Sequence, residues 1–358
     1  MIYTNFCNPS VKLINEPDNF KRIEKAGRLC YKSESKATED SAFPFFQRLV
    51  KNGHTSVLEH SVLFVRTHTP EATMKLKQIL NDYTEETGYP HYIRYSQWEE
   101  DCHIYNPVDL EYGSDFHLGS CVGREHLFSG NFRAWRKICE KYSGEPILYD
   151  TFHEHKAFSD IFISKQEEFS DVFGGASYEW IYGPDQIEIV DSIPTDPNEF
   201  RHAYKHNIVT LHIIADRGII DEFVRHRACS FSVESTRYVS YKESGVSFVF
   251  PWWFTAMKDA PKYSALAGAF GNRCYDTEVA YQDFMAKSGV PQLARGALTL
   301  WIKSEMAMTG TIQQWIDVLK LRDSAGAHPD AQKIAKIIEE VLVNEAGVED
   351  IWGVNIND

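Results

Sequence analysis

The sequence predicts an α/β fold, a mixed sheet flanked by helices, and three observations carry that expectation. KHNIVTLHIIADRG, residues 205–218, sets Val209, Leu211 and Ile213 against Ile208, Thr210, His212 and Ile214, so both alternating sets contain apolar side chains. That is the pattern of a strand covered on both faces. DNFKRIEKAGRLCY, 18–31, repeats Phe20, Ile23, Ala26 and Leu29 about one helical turn apart, and TIQQWIDVLKLR and DAQKIAKIIEEVLVNEAG show the same periodicity near the C-terminus.

Taken in order, 18–31 reads as an amphipathic helix with a solvated basic face. SAFPFFQRLVKN follows as a second helix that stops at Gly53, a residue suited to the left-handed conformation after a helix. SVLFVRTH, 61–68, reads as a strand. From about 70 to 200 the pattern weakens: acidic and aromatic stretches such as QWEEDCHIYNPVDLEYGSD and the turn-rich IYGPDQIEIVDSIPTDPNEF surround one clear helix, NFRAWRKICEKY. This predicts one domain over 1–358 with a long insertion at about 70–200. After the buried strand, Asp216 caps a helix through GIIDEFVRHR. NRCYDTEVAYQDFMAKSG is a further helix, ended by Gly289 and Pro291. FVFPWWF, 248–254, gathers five aromatics and is expected to pack in the core.

The chain carries a formal charge of −14, which argues against general nucleic-acid affinity, since phosphate backbones attract basic surfaces. Yet residues 217–242 hold Arg217, Arg225, Arg227, Arg237 and Lys242 against Asp221, Glu222 and Glu234, a local balance of +2. A positive pocket in a negative body suits a small anion. Seven scattered cysteines without a CxxC pair indicate neither a disulfide framework nor a zinc ribbon. With no apolar run of membrane length and no basic-then-apolar leader in MIYTNFCNPSVK, the expectation is a cytoplasmic protein without a membrane partner.

The chemistry concentrates in DEFVRHRACSFSVESTRYVSY, 221–241. With RHR on the helix, Arg225 shares a face with Asp221 and Glu222 while Arg227 points elsewhere. A guanidinium fork matches phosphate oxygens, and Ser235, Thr236 and the backbone amides of the following turn add neutral donors beside Arg237.

RHR, then seven residues, then Ser, with Arg-Tyr two residues on, resembles the signature of the flavin-dependent thymidylate synthases, and RHRACSFSVESTRY fits it throughout. GHTSVLEH, 53–60, is similar to the family's Gly-His-x-Ser/Thr-x-x-Glu-His segment. AGRLCYKSESKATEDS, SGNFRAWR, LAR at 293–295 and LKLRDSAGAHPDAQ resemble further family segments. Together these pieces span roughly two thirds of the chain; 70–116 and 143–200 have no match.

The resemblance implies reductive methylation of dUMP to dTMP, with methylenetetrahydrofolate giving the carbon, FAD carrying the hydride and NADPH reducing the flavin. It implies that Arg225, His226 and Arg227 contact the flavin, Arg225 also facing the nucleotide, and that Ser56 joins them. His54 and Tyr238 would line the flavin and folate stacking site. Ser235, Thr236, Arg237 and Arg295 would hold dUMP, with Glu222 beside them, and Arg322 would sit at the uracil ring as the catalytic cation. Family members assemble as homotetramers whose active sites combine subunits. No Rossmann glycine loop is implied for NADPH.

Two departures stand out. Glu222 occupies a position that is often Gln, and a carboxylate near a phosphate needs a compensating arginine. Thr311, Gln313 and Asp317 replace the Asn, Arg and Asn of the family helix, so those flavin contacts are not carried over. A cysteine nucleophile at Cys229 competes with a small buried residue on the helix's inner side, and Ser235 lacks a His and acid in triad arrangement. His54 with His60, and HEH at 153–155, match no zinc spacing, so no metal is expected. The rival function is a non-catalytic nucleotide- or nucleic-acid-binding homologue that keeps the arginines and lacks the flavin.

Overall fold

The computed structural model describes residues 5–97, 125–165, 181–193, 203–255 and 262–348. Most of QWEEDCHIYNPVDLEYGSD and the end of IYGPDQIEIVDSIPTDPNEF lie outside the described residues. The described residues divide into two compact units, one formed by those up to His60 and from Ile208 to 348, the other by those within Ser61–Asn207.

In the first unit the strand expected at 208–216 is present as Ile208–Asp216. It lies second in a four-stranded sheet ordered Ser10–Leu13, Ile208–Asp216, Lys303–Thr311, Ser230–Val233, which is antiparallel throughout and not the mixed sheet expected. Lys303–Thr311 is buried along almost its whole length, yet the sequence reading assigned it no element. KSEMAMTGT has neither β-branched density nor a clean period of two; it is a strand because both neighbours pair with it, Thr309 lying opposite Thr210 on one side and Ser230 on the other. Parallel pairing occurs between Asn5–Cys7 and Ser247–Val249.

One sheet face carries Leu211, Ile213, Met306 and Met308 into a core with Phe223, Trp315, Ile334 and Ile338. These come from the helices Arg217–Phe223, Ile312–Arg322 and Pro329–Asn344. The Trp315 indole is fully buried and donates to the Val209 carbonyl at 3.0 Å; truncation to Ala would cost about 3–5 kcal/mol. The opposite face meets the helix Asn19–Tyr31 through Ala26, Leu29 and Ala307.

Asp18 caps that first helix by accepting from the amides of Phe20 and Lys21. Its expected solvated basic face is only partly so: Arg28 is buried, its Nε donating to Glu24 Oε1 at 2.9 Å, and Ser41 Oγ donates to the same oxygen. Burial of the cation is possible because the carboxylate is fixed one turn before it. Lys32 ends the helix at φ 50°, ψ 51°, a left-handed conformation costing a non-glycine residue roughly 1–2 kcal/mol. The second helix, Ala42–Lys51, closes on Gly53 at φ +70° as the sequence predicts. The aromatics Phe248 and Trp253 are buried with Phe270 and Tyr281, the packing expected for 248–254.

The second unit holds a four-stranded antiparallel sheet ordered Arg94–Gln97, His126–Asn131, Val62–Thr67, Ile187–Val190. Its helix Pro70–Thr87 was not anticipated, although its signals are local: Thr69 accepts from Ala72 N, Pro70 opens the first turn, and Gly88 closes it at φ +68°. The helix foreseen in NFRAWRKICEKY is present as Phe132–Lys141, capped by Asn131. Its Trp135 is buried and donates to the Leu63 carbonyl. Among the described residues no helix is long and apolar enough to cross a membrane.

Candidate active site

The Asp216-capped helix ends at Phe223, so Arg225, His226 and Arg227 lie in the turn before strand Ser230–Val233 and not on a helix as the sequence reading had it. The chain leaves helical geometry because the sheet's edge is only a few residues away. Cys229 is buried in that same turn. The turn exposes the two arginines and half-buries His226 between them. Among the described residues no hydrogen bond or ion pair engages the side chain of Arg225 or of Arg227, while the Arg225 amide donates to the Glu222 carbonyl at 3.4 Å.

From the other end of the chain, Arg322 closes the helix Ile312–Arg322 and enters this turn. Its Nε donates to His226 Nε2 at 2.9 Å, its Nη1 to Glu222 Oε2 at 2.8 Å, and its Nη2 to the Glu222 carbonyl at 2.5 Å. The side chain is 10% exposed. Glu222 therefore has the compensating arginine that its position requires. Three of five guanidinium donors are spent, leaving one N–H on each terminal nitrogen. Burial first, then the Arg322 charge, push the His226 pKa down to about 4. A neutral imidazole that accepts at Nε2 carries its proton at Nδ1.

Beyond the far end of strand Ser230–Val233 the chain turns again at Ser235–Tyr238. The amides of Arg237, Tyr238 and Val239 are spent on Ser235 Oγ and its carbonyl. Three of the backbone amides expected as outward donors are therefore engaged, and the expected hydroxyls and the Arg237 guanidinium remain. Arg237 Nε donates to Gln292 Oε1 at 2.9 Å, three positions before the exposed Arg295. The Arg237 guanidinium lies 5.3 Å from the Tyr238 ring centre, and Tyr238 is largely exposed.

His54, just before the short 3-10 helix Thr55–His60, and Ser56, within it, are exposed. That helix is pinned by His60, fully buried, whose Nδ1 lies 2.8 Å from Thr309 Oγ1 and Nε2 2.8 Å from Ser232 Oγ. Both nitrogens meet hydroxyls, and desolvation pushes the pKa to about 3. His60 thus anchors the His54–Ser56 segment to the strand joining the two turns. His60 belongs to the GHTSVLEH segment and pairs with His54 in the metal reading, but its burial was invisible without the sheet. His153 and His155 are placed among aromatics, His153 stacked on Tyr149 and His155 edge-on to Phe132.

The structure thus joins Glu222, His226 and Arg322 directly, and groups Ser235, Thr236, Arg237 and Tyr238 in one turn near Arg295. The intervening four-residue strand spans about 13 Å at roughly 3.3 Å per residue, so the two groups are separate within one chain. Thr311 and Gln314 form a reciprocal cap of their helix, and Gln313 bonds Asp317.

An α/β body presenting arginines and hydroxyls from two turns at the ends of one strand is the class these elements define. The chain belongs to the thymidylate synthase complementing protein family, whose model matches residues 12–77 and 198–346, more than half its length. A probable flavin-dependent thymidylate synthase of Mycobacterium phage D29 is 30% identical over 141 residues, 37% of this chain and 58% of the relative. One of Mycobacterium phage L5 is 28% identical over 140 residues, covering 37% and 56%. The chain thus spans less than two thirds of the curated relatives it matches. Among solved structures, thymidylate synthase X from Helicobacter pylori with FAD and dUMP is 21% identical, covering 41% of this chain and 73% of that one at TM-score 0.30. A UMP/dUMP methylase, PolB, from Streptomyces cacaoi bound with 5-Br UMP is also 21% identical, covering 40% and 72% at TM-score 0.35.

Proposed function

We propose that the chain is a flavin-dependent thymidylate synthase, methylating dUMP to dTMP with methylenetetrahydrofolate as carbon donor and NADPH as reductant. The observation that carries this reading is the meeting of Arg322 with Glu222 and His226 across 100 and 96 residues of chain. It leaves Arg225 and Arg227 exposed beside them.

The residues fit the two anionic ligands. Two exposed guanidiniums flanking a neutral imidazole are the donor set for a pyrophosphate, so Arg225, His226 and Arg227, with Ser56 and His54, would hold FAD. FAD supplies hydride when bound. Ser235, Thr236, Arg237 and Arg295 would hold the phosphate of dUMP, and Tyr238 offers an exposed ring for stacking. Arg322 is catalytic in this reading: a fixed cation stabilises charge that builds on the pyrimidine as C5 becomes nucleophilic. Glu222 and His226 fix the plane of that guanidinium, and the neutral state of His226 keeps a second charge from competing with it.

Because the two groups stand apart along strand Ser230–Val233, a complete site is composed from more than one chain, in keeping with a homotetramer. We further propose that residues 1–358 work as one catalytic body, the Ser61–Asn207 unit being inserted into it. The described cysteines are all free, which suits a reducing cytoplasm.

An anaerobic assay that omits FAD, NADPH or methylenetetrahydrofolate in turn tests the reaction. Product that requires all three supports it. Colourless protein that cannot be reconstituted with FAD, or that binds DNA with steep salt dependence, would favour a non-catalytic binding protein.

A further inference from the structure

Under the Ser235–Tyr238 turn lies a charge cluster to which the reaction above assigns no role. Glu234 is 1% exposed; its Oε1 accepts from Tyr241 Oη at 2.8 Å, and its Oε2 lies 3.6 Å from Lys32 Nζ and 3.7 Å from Lys303 Nζ. Both ammonium groups also meet Glu305 Oε1, and His212 Nε2 lies 2.9 Å from Glu305 Oε2. Two lysines thus balance two carboxylates in a largely buried space.

Three consecutive residues at the end of the first helix grip the segment 234–238. The Cys30 carbonyl accepts from Ser235 N at 3.0 Å. The Tyr31 ring lies 5.5 Å from that of Tyr238. Lys32 reaches Glu234 and Glu305. Capping alone is best served by glycine at a left-handed position; Lys32 holds that conformation at φ 50° while its side chain is engaged with two carboxylates. Its side chain has a task that glycine cannot perform.

We propose that Lys32 is a positioning residue of the nucleotide site: through Glu234 it holds the Ser235–Arg237 turn in the shape that receives a nucleoside monophosphate, while Tyr31 buttresses Tyr238. This rests on the reading of that turn as the dUMP phosphate site. Lys32 does not touch the phosphate. Its effect passes through the carboxylate that immediately precedes Ser235, and the chemical step, set at Arg322, is left alone.

The test uses the full-length flavin-loaded protein and dUMP. Lys32→Met and Lys32→Gly are expected to raise the dUMP Kd and KM about tenfold, with kcat within twofold and flavin content unchanged, while Lys32→Arg stays within threefold of the parent protein. Glycine is the decisive variant, because a mere capping role predicts equal or better behaviour from it. The partly exposed Tyr31 gives a variant that does not depend on the buried cluster: Tyr31→Ala is expected to weaken dUMP binding several-fold and Tyr31→Phe to leave it intact. Lys32→Gly or Tyr31→Ala binding dUMP within twofold of the parent overturns the inference, as does loss of kcat and flavin with Kd unmoved. A parent protein that binds no dUMP takes down the functional reading as well, so the two failures are distinguishable.

Discussion

Arg322 donates its Nε–H to Nε2 of His226 at 2.9 Å, which makes the imidazole an acceptor and requires it to be neutral. The same guanidinium takes the carboxylate and the carbonyl of Glu222. One cation therefore sets the tautomer of the motif's histidine and neutralises its nearest acid.

Arg322→Lys keeps the charge and loses the planar fork. Flavin content is expected to stay near that of the parent while turnover falls about 100-fold or more. Steady-state kinetics beside the flavin absorbance of purified protein check this; an unchanged kcat would remove the catalytic assignment of Arg322.

Acid should destabilise the protein through its histidines. His60 and His226 have folded pKa values lowered to about 3 and about 4 from 6.5. Between those values the unfolded chain binds the proton and the folded one does not, so stability falls as pH drops below 6.5. For His60 the loss by pH 5 is on the order of 1–2 kcal/mol. His60→Gln should lower the urea midpoint at pH 7, through the lost hydroxyl contacts, and flatten its decline between pH 7 and 5.

Asp216 gives the opposite sign. Desolvation raises its pKa from 3.8 to about 6, so the folded state holds the proton longer, and the stabilisation this brings is lost as pH rises through 6. Asn caps a helix about as well as Asp. Asp216→Asn is expected to be roughly 1–3 kcal/mol more stable than the parent at pH 7, the difference closing below pH 4. Thermal melts at the two pH values would show it; a gain equal at both would sink the argument.

At Gly310 a Cβ would stand 3.0 Å from Cys229 Sγ and 3.4 Å from Gln314. Gly310→Ala should therefore lower stability by about 1–3 kcal/mol, and adding Cys229→Ala should recover part of it, a coupling that a double-mutant cycle reads. Cys229→Ala alone is expected to retain full turnover. Loss of activity there with flavin and fold intact would revive a cysteine nucleophile.

Much of this architecture was legible from local pattern. Asp18, Asp216 and Thr311 cap their helices, Gly53 and Gly289 take positive φ, and Ile208–Asp216 is the covered strand its alternation announces. Strand Lys303–Thr311 was not legible, because Glu305 and Thr309 look solvent-facing until His60, Thr210 and the lysines supply partners. Helix Pro70–Thr87 could have been found from Thr69, Pro70 and Gly88, and was obscured by the polar sequence around it.

The sequence by itself determined the residue types of the site, the family to which they belong, and those helix ends that carry a strong cap or glycine, because capping and periodicity act within a few positions of the chain. Only the tertiary structure decided that Arg322 meets Glu222 and His226, that RHR leaves its helix, and that Lys32 lies against Glu234. Those pairings depend on sheet register and on buried polar groups finding partners far away in sequence, and no local pattern encodes which of several cations will meet which acid.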